Sequence, residues 1–277
     1  GSGGGHGGHD PGPTPHTDDP AKQAEHMALL GLVPVSAATH IAVKSGSWFD
    51  PTVWANGVIP GDGAKVVIPA GVEILYDRES SASIFTVRVD GDLHFATDRN
   101  THLKVDTLVV PQTGHLEIGT ADHPVDANVR AVITIADNGP IDVAWDPMLL
   151  SRGVISHGTV DIHGAEKENF IKVAIDPMKG QTSITLDAPP EGWRVGDRIV
   201  LTGTHLVESK TWVPGAPRFG DTTEDEVFTI TSINGNTISL DRPLQFDHEG
   251  ARADLKAYVA NYTRNVLIQS ENGGPDI

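Results

Sequence analysis

The chain of 277 residues carries 20 Lys and Arg against 37 Asp and Glu, a formal net charge of −17, and no cysteine. This composition excludes a disulfide framework, thiol catalysis and a cysteine-ligated metal, and an acidic chain without a basic block argues against nucleic-acid binding. With 30 glycines, 19 prolines and many Val and Ile, it reads as a folded, turn-rich protein, and no apolar run in this segment reaches the roughly 18 residues of a membrane span.

Residues 1–20, GSGGGHGGHDPGPTPHTDDP, hold no Val, Leu, Ile or aromatic residue and read as a flexible tail. No leader peptide is visible in them, and GSGGG has the composition of a tag. His6, His9 and His16 are candidate metal ligands. The glycines between them impose no geometry, however, so a solvated tail is the plainer reading. Residues 21–35 read as one short helix. Asp19 is its N-cap, Pro20 its first position, Met27, Leu29 and Leu30 its apolar stripe, and Gly31 and Pro34 its stop.

Over residues 36–169 a glycine followed by an apolar–polar–apolar triplet recurs. The copies are Gly71 with Val72-Glu73-Ile74, Gly91 with Leu93-His94-Phe95, Gly114 with Leu116-Glu117-Ile118, Gly139 with Ile141-Asp142-Val143, and Gly158 with Val160-Asp161-Ile162. Period-two alternation predicts strands with one buried face, and glycine suits a corner. A unit of about 22 residues that cannot bury its own face must stack on copies of itself, which is the logic of a parallel β-helix. A β-sandwich is the alternative, with turns every 8–12 residues.

In a stacked solenoid Glu73, His94, Glu117, Asp142 and Asp161 would form one outward column, neighbours standing about 4.8 Å apart. Carboxylates that close suit calcium, with Glu117, Asp142 and Asp161 as ligands, or else form a solvated polar face. The rhythm then breaks. Residues 170–247 read as an inserted antiparallel module, with a hairpin turn at Asn234-Gly235-Asn236 and a buried-type Trp193. Residues 248–277 read as a return to the β-helix through Leu255–Ile268. No cap for the last coil is evident, so the chain is expected to be the first part of a longer solenoid.

Two runs carry a resemblance to a known family: Gly46-Ser47-Trp48-Phe49-Asp50-Pro51-Thr52-Val53-Trp54, and Pro60-Gly61-Asp62-Gly63-Ala64-Lys65-Val66-Val67-Ile68-Pro69-Ala70-Gly71-Val72. They resemble the start of the eight-glycine (G8) domain of the cell-migration-inducing hyaluronan-binding protein, its transmembrane relative, fibrocystin-type proteins and secreted bacterial proteins. The runs from Trp193 to Val200, from Glu226 to Ile230 and from Ala257 to Val266 are similar to the hyaluronan-binding branch. The resemblance implies an all-β fold in which a right-handed parallel β-helix carries the inserted module. It also implies an extracellular or cell-surface location and handling of hyaluronan or another polysaccharide, with calcium as an assisting cation.

Polysaccharide cleavage by a hydrolase requires paired carboxylates, and a lyase requires a base with a cation. The candidate catalytic residues are Asp161 as the carboxylate, His157 and His163 as bases, and Arg152 to position an anionic group. In the plainer reading Arg152 pairs with a neighbouring Asp and the histidines satisfy turns. Two function classes stay open. One is a glycan-binding or glycan-processing β-helix whose chemistry belongs to the longer chain. The other is a structural or adhesive surface module without catalysis. A charge of −17 repels a polyanion such as hyaluronan unless a cation intervenes.

Overall fold

The computed structural model describes residues 19–205 and 223–273, so the tail histidines His6, His9 and His16 lie outside the described residues. The chain divides into two compact units, one of Gly1–Gly164 with Val266–Ile277 and one of Ala165–Asn265.

The first unit opens with α1 (Pro20–Leu32), capped by the Asp19 carboxylate, which accepts from the Ala21 amide at 2.8 Å. Strands β1 (His40–Ile41), β2 (Gly46–Ser47), β3 (Lys65–Ile68), β4 (Glu73–Tyr76), β5 (Glu79–Val89) and β6 (Asp92–Phe95) follow. The unit continues with β7 (Thr101–Val110), β8 (His115–Ile118), β9 (Ala131–Ile135), β10 (Gly153–Ser156) and β11 (Thr159–Ile162). Every strand pairing among these is parallel, which removes the sandwich alternative. Along one face His40, Val66, Val87, Leu108 and Val154 are successive register partners. Along a second face Gly46, Ile74, Leu93, Leu116 and Val160 are. The long strands β5 and β7 turn a corner and supply a third face, where Val105 pairs with Ile84 and Ile135.

The side chains between these faces form one apolar core, in which Trp48 meets Trp54 and Tyr76 edge-on and Tyr76 stacks on Phe95. The outer side of the first face is also covered, because Leu29, Leu32 and Val33 of the helical segment pack on Val109 together with Trp145 and Ile155. That cover explains why Leu108-Val109-Val110 is apolar on both sides.

One repeat copy is not a coil. Gly139 sits in a turn at φ 77°, and Ile141-Asp142-Val143 is not a strand. Asp142 accepts from the Ala144 amide at 2.9 Å instead. Residues 136–152 leave the stack as a loop, and β10 resumes pairing on β7. Asp142 therefore does not join the outward column.

The second unit contains β12 (Phe170–Lys172), β13 (Ser183–Thr185), β14 (Arg198–Leu201), β15 (Glu226–Asn234), β16 (Thr237–Leu240) and β17 (Tyr258–Asn261). They pair antiparallel in the order β12-β17-β14-β15-β16-β13, and the Val173–Leu186 bridge joins the two ends. Among the described residues the two end strands of the sheet thus meet. Trp193 is buried, and its indole nitrogen donates to the Glu168 carbonyl at 2.7 Å. The unit is longer than the 170–247 expected from sequence. Tyr258–Asn261, expected in the returning β-helix, pairs with β12 and β14, whereas β18 (Val266–Ser270) does return to the parallel sheet, on β9. Both segments alternate in the same way, and alternation does not name a partner.

Inside this unit Glu226 is almost fully buried. Burial alone would raise its pKa. Hydrogen bonds from His248, the Gln245 amide, Arg242 and the Phe246 amide outweigh that and hold it below the usual glutamate range. A carboxyl depressed on folding adds stability above its unfolded pKa and loses it as pH falls through the folded value. The unfolding midpoint is therefore expected to drop as pH falls below the ordinary glutamate range of about 4.3. Glu226→Gln should be less stable at neutral pH and flatter in acid; a variant with the wild-type acid profile would contradict the assignment.

Candidate functional site

Strands β4, β6 and β8 bury Ile74, Leu93 and Leu116 and turn alternate side chains outward, while β11 continues their register with Val160 and Ile162 exposed. The register sorts the outward groups into two neighbouring columns. Glu73, Asp92, His115 and Thr159 form one; Leu75, His94, Glu117 and Asp161 form the other. Glu73 thus stands beside the expected column rather than in it. Gly71 is followed at once by its triplet, whereas Gly91, Gly114 and Gly158 are each followed by one more residue. That extra corner residue moves Glu73 onto Asp92.

The two columns are cross-linked. His115 lies 3.2 Å from Asp92 through Nδ1 and 3.0 Å from Asp161 through Nε2, so one ring spans three strands. His94 lies 3.5 Å from Glu117, and its ring meets His115 edge-on with centroids 5.7 Å apart. Beside this ladder opens a groove of 750 Å3, lined by Glu73, Asp77, His94, Arg99 and Glu117 with Leu75 among them. Asp98, also in the lining, is held below the usual carboxylate range by the Arg99 guanidinium that bonds it. Carboxylates outnumber cations here, so the groove is anionic whenever its imidazoles are neutral.

Of the expected catalytic residues, Arg152 directly precedes β10, Asp161 lies in β11, and His157 and His163 stand on either side of β11. Arg152, in the left-handed region at φ 62°, donates its amide to Thr107 Oγ1 at 2.9 Å. Its guanidinium faces Asp106 at 3.7 Å and Asp137 at 3.8 Å, the pairing the plainer reading anticipated. Asp161 belongs to the ladder through His115. His157 and His163 flank β11, where their amides bond to the Val110 and Ile118 carbonyls of the preceding coil. Of the proposed calcium ligands, Glu117 and Asp161 are register partners and Asp142 stands elsewhere. Among the described residues no group of three His, Asp or Glu side chains is placed to hold a metal ion. Asp92 and His115 were not singled out from sequence, although each directly follows a repeat glycine and could have been found by that offset.

Comparison with known proteins gives a domain class first. Residues 53–174 match the G8 domain family. Among curated proteins, the chain is 27% identical over 274 residues to a G8 domain-containing protein of Dictyostelium discoideum, covering 94% of this chain and 23% of that protein. It is 26% identical over 257 residues to fibrocystin of Canis lupus familiaris and 24% identical over 259 residues to human fibrocystin-L. Those matches cover 86% and 89% of this chain and 6% of each relative. The chain thus spans less than a quarter of the length of these relatives. A solved tailspike of Pseudomonas phage phi297 aligns over 65% of this chain and 24% of its own, at 15% identity and a TM-score of 0.27. No described helix is long and apolar enough to cross a membrane.

Proposed function

We propose that this chain is an extracellular or cell-surface G8-type module of the hyaluronan-binding kind, with coils wound right-handed, that holds a polysaccharide along the outward side of its second face. The observation that carries the reading is the groove itself. It is an open trough that combines charged groups with apolar ones, Leu75, Phe95 and Ala96, in its lining, set beside strands locked by parallel pairing. Sugars combine hydroxyl edges with apolar faces, and a rigid site offering both limits the entropy lost on binding. The right hand follows from the strong preference of parallel strand crossovers. The anionic lining favours an uncharged saccharide. A uronate polymer such as hyaluronan would need calcium between its carboxylates and those of the groove.

A glycan array probed with and without calcium tests this. Wild type is expected to retain uncharged glycans in both conditions and acidic ones only with calcium. Glu117→Gln should weaken binding about tenfold, the scale of one charged hydrogen bond. A chain that retains no glycan in either condition would leave the adhesive module as the better reading.

A further inference from the structure

The second unit holds a buried polar cluster that plays no part in the groove. Lys167 lies ahead of β12, Asp197 immediately precedes β14, and Asn261 is the last residue of β17. Lys167 Nζ lies 2.6 Å from Asp197 Oδ2, and Asn261 Nδ2 donates to that same oxygen at 2.8 Å. The Arg194 amide donates to it as well, at 2.9 Å. Asn261 Oδ1 accepts from the Thr263 amide at 3.0 Å, which polarises the carboxamide. Asp197 is 5% and Asn261 2% exposed, and the Lys167 side chain is 11% exposed. Ile199, the register partner of Asn261, and Trp193 belong to the apolar core of the unit.

These are the parts of an acyl transfer: an amine, a carboxamide and a carboxylate within proton-transfer distance of both, shielded from water. A desolvated lysine is a competent nucleophile, and distances of 2.6 and 2.8 Å lie within the reach of a general acid–base. We propose that Lys167 and Asn261 become joined by an isopeptide bond, with Asp197 carrying the protons. Asp197 accepts a proton from the Lys167 ammonium, and the freed Nζ attacks Asn261 Cγ. Asp197 returns that proton to Nδ2 and takes a second one from Nζ. The Cγ–Nδ2 bond breaks as the Nζ–Cγ amide forms, and ammonia departs with the second proton as ammonium. No oxidant, metal or cofactor enters the balance. The bond would tie the start of the unit to its last strand, the service a disulfide gives elsewhere, in a chain that has no cysteine.

The test is the intact mass of the whole chain, expected to lie about 17 Da below the sequence mass, one ammonia per molecule. Proteolysis should yield one branched peptide joining Lys167 to Asn261. Lys167→Arg should return the full mass, and Asp197→Asn should leave the bond unmade. Wild type at its full sequence mass after prolonged incubation overturns the proposal, whether or not either variant folds. A deficit that persists in Lys167→Arg, or that maps to a succinimide at an Asn-Gly step such as Asn56-Gly57, overturns it too.

Discussion

Gly114→Ala is expected to destabilise the parallel stack by about 3 kcal/mol or more, the upper end for an added methylene in a packed interior. A Cβ at this position would stand 1.8 Å from the Val89 carbonyl oxygen and 2.9 Å from Val110 Cγ1. Val89 ends the preceding coil, so relief requires two coils to separate. Gly91 and Gly158 are confined in the same way, each facing two backbone oxygens at 2.3–2.4 Å. Gly31→Ala is the control. Its Cβ would meet nothing within 4 Å, and replacing a helical glycine should stabilise by about 0.5–1 kcal/mol. Thermal melts of the two variants should therefore move in opposite directions. If Gly114→Ala melts with wild type, the glycine column has been misread.

Trp193→Ala is expected to cost the second unit about 3–5 kcal/mol, through a cavity and an unpartnered Glu168 carbonyl. Trp193→Phe keeps most of the apolar volume and should cost less. Two units need not unfold together, so hydrogen exchange resolved by peptide is the appropriate measurement. Faster exchange is expected in β14, β15 and β17, with β6 and β8 unaffected. Unchanged protection across the second unit would show that Trp193 is peripheral to its core.

Much of the first unit was legible because each coil repeats its own grammar. Gly71, Gly91, Gly114 and Gly158 do mark corners, and the residues after the first three alternate inward and outward, whereas Val160 and Ile162 after Gly158 are exposed. The reason for the later glycines is different from the one read in sequence. Gly91, Gly114 and Gly158 are required by space, not by a left-handed backbone. Gly139 carries the same local signature without belonging to the stack, since a triplet is too short to distinguish a strand from a turn. Register was the other gap. A slip of one residue carries a side chain into a different column, and the corner after Gly71 is one residue shorter than the corners after its successors.

The second unit was legible as antiparallel strands and as a buried Trp193, while its boundaries were not. Where a strand such as Tyr258–Asn261 pairs depends on segments many residues away. The same holds for Lys167, Asp197 and Asn261, which no spacing rule connects. The ladder of His115 with Asp92 and Asp161 is intermediate, readable once the coils are in register and silent before.

The amide of Ala165 donates to Asn265 Oδ1 at 2.9 Å, so the first and last residues of the second unit touch. A segment whose ends meet interrupts its host like a short hairpin, however many residues it holds, because the host sees only the gap between the ends. It can lengthen, shrink or be exchanged during evolution while β9 and β18 keep their pairing. In the laboratory the same closeness makes 165–265 a cassette: a short glycine bridge in its place is expected to leave a soluble parallel stack, and the excised piece can be circularly permuted through its own touching ends.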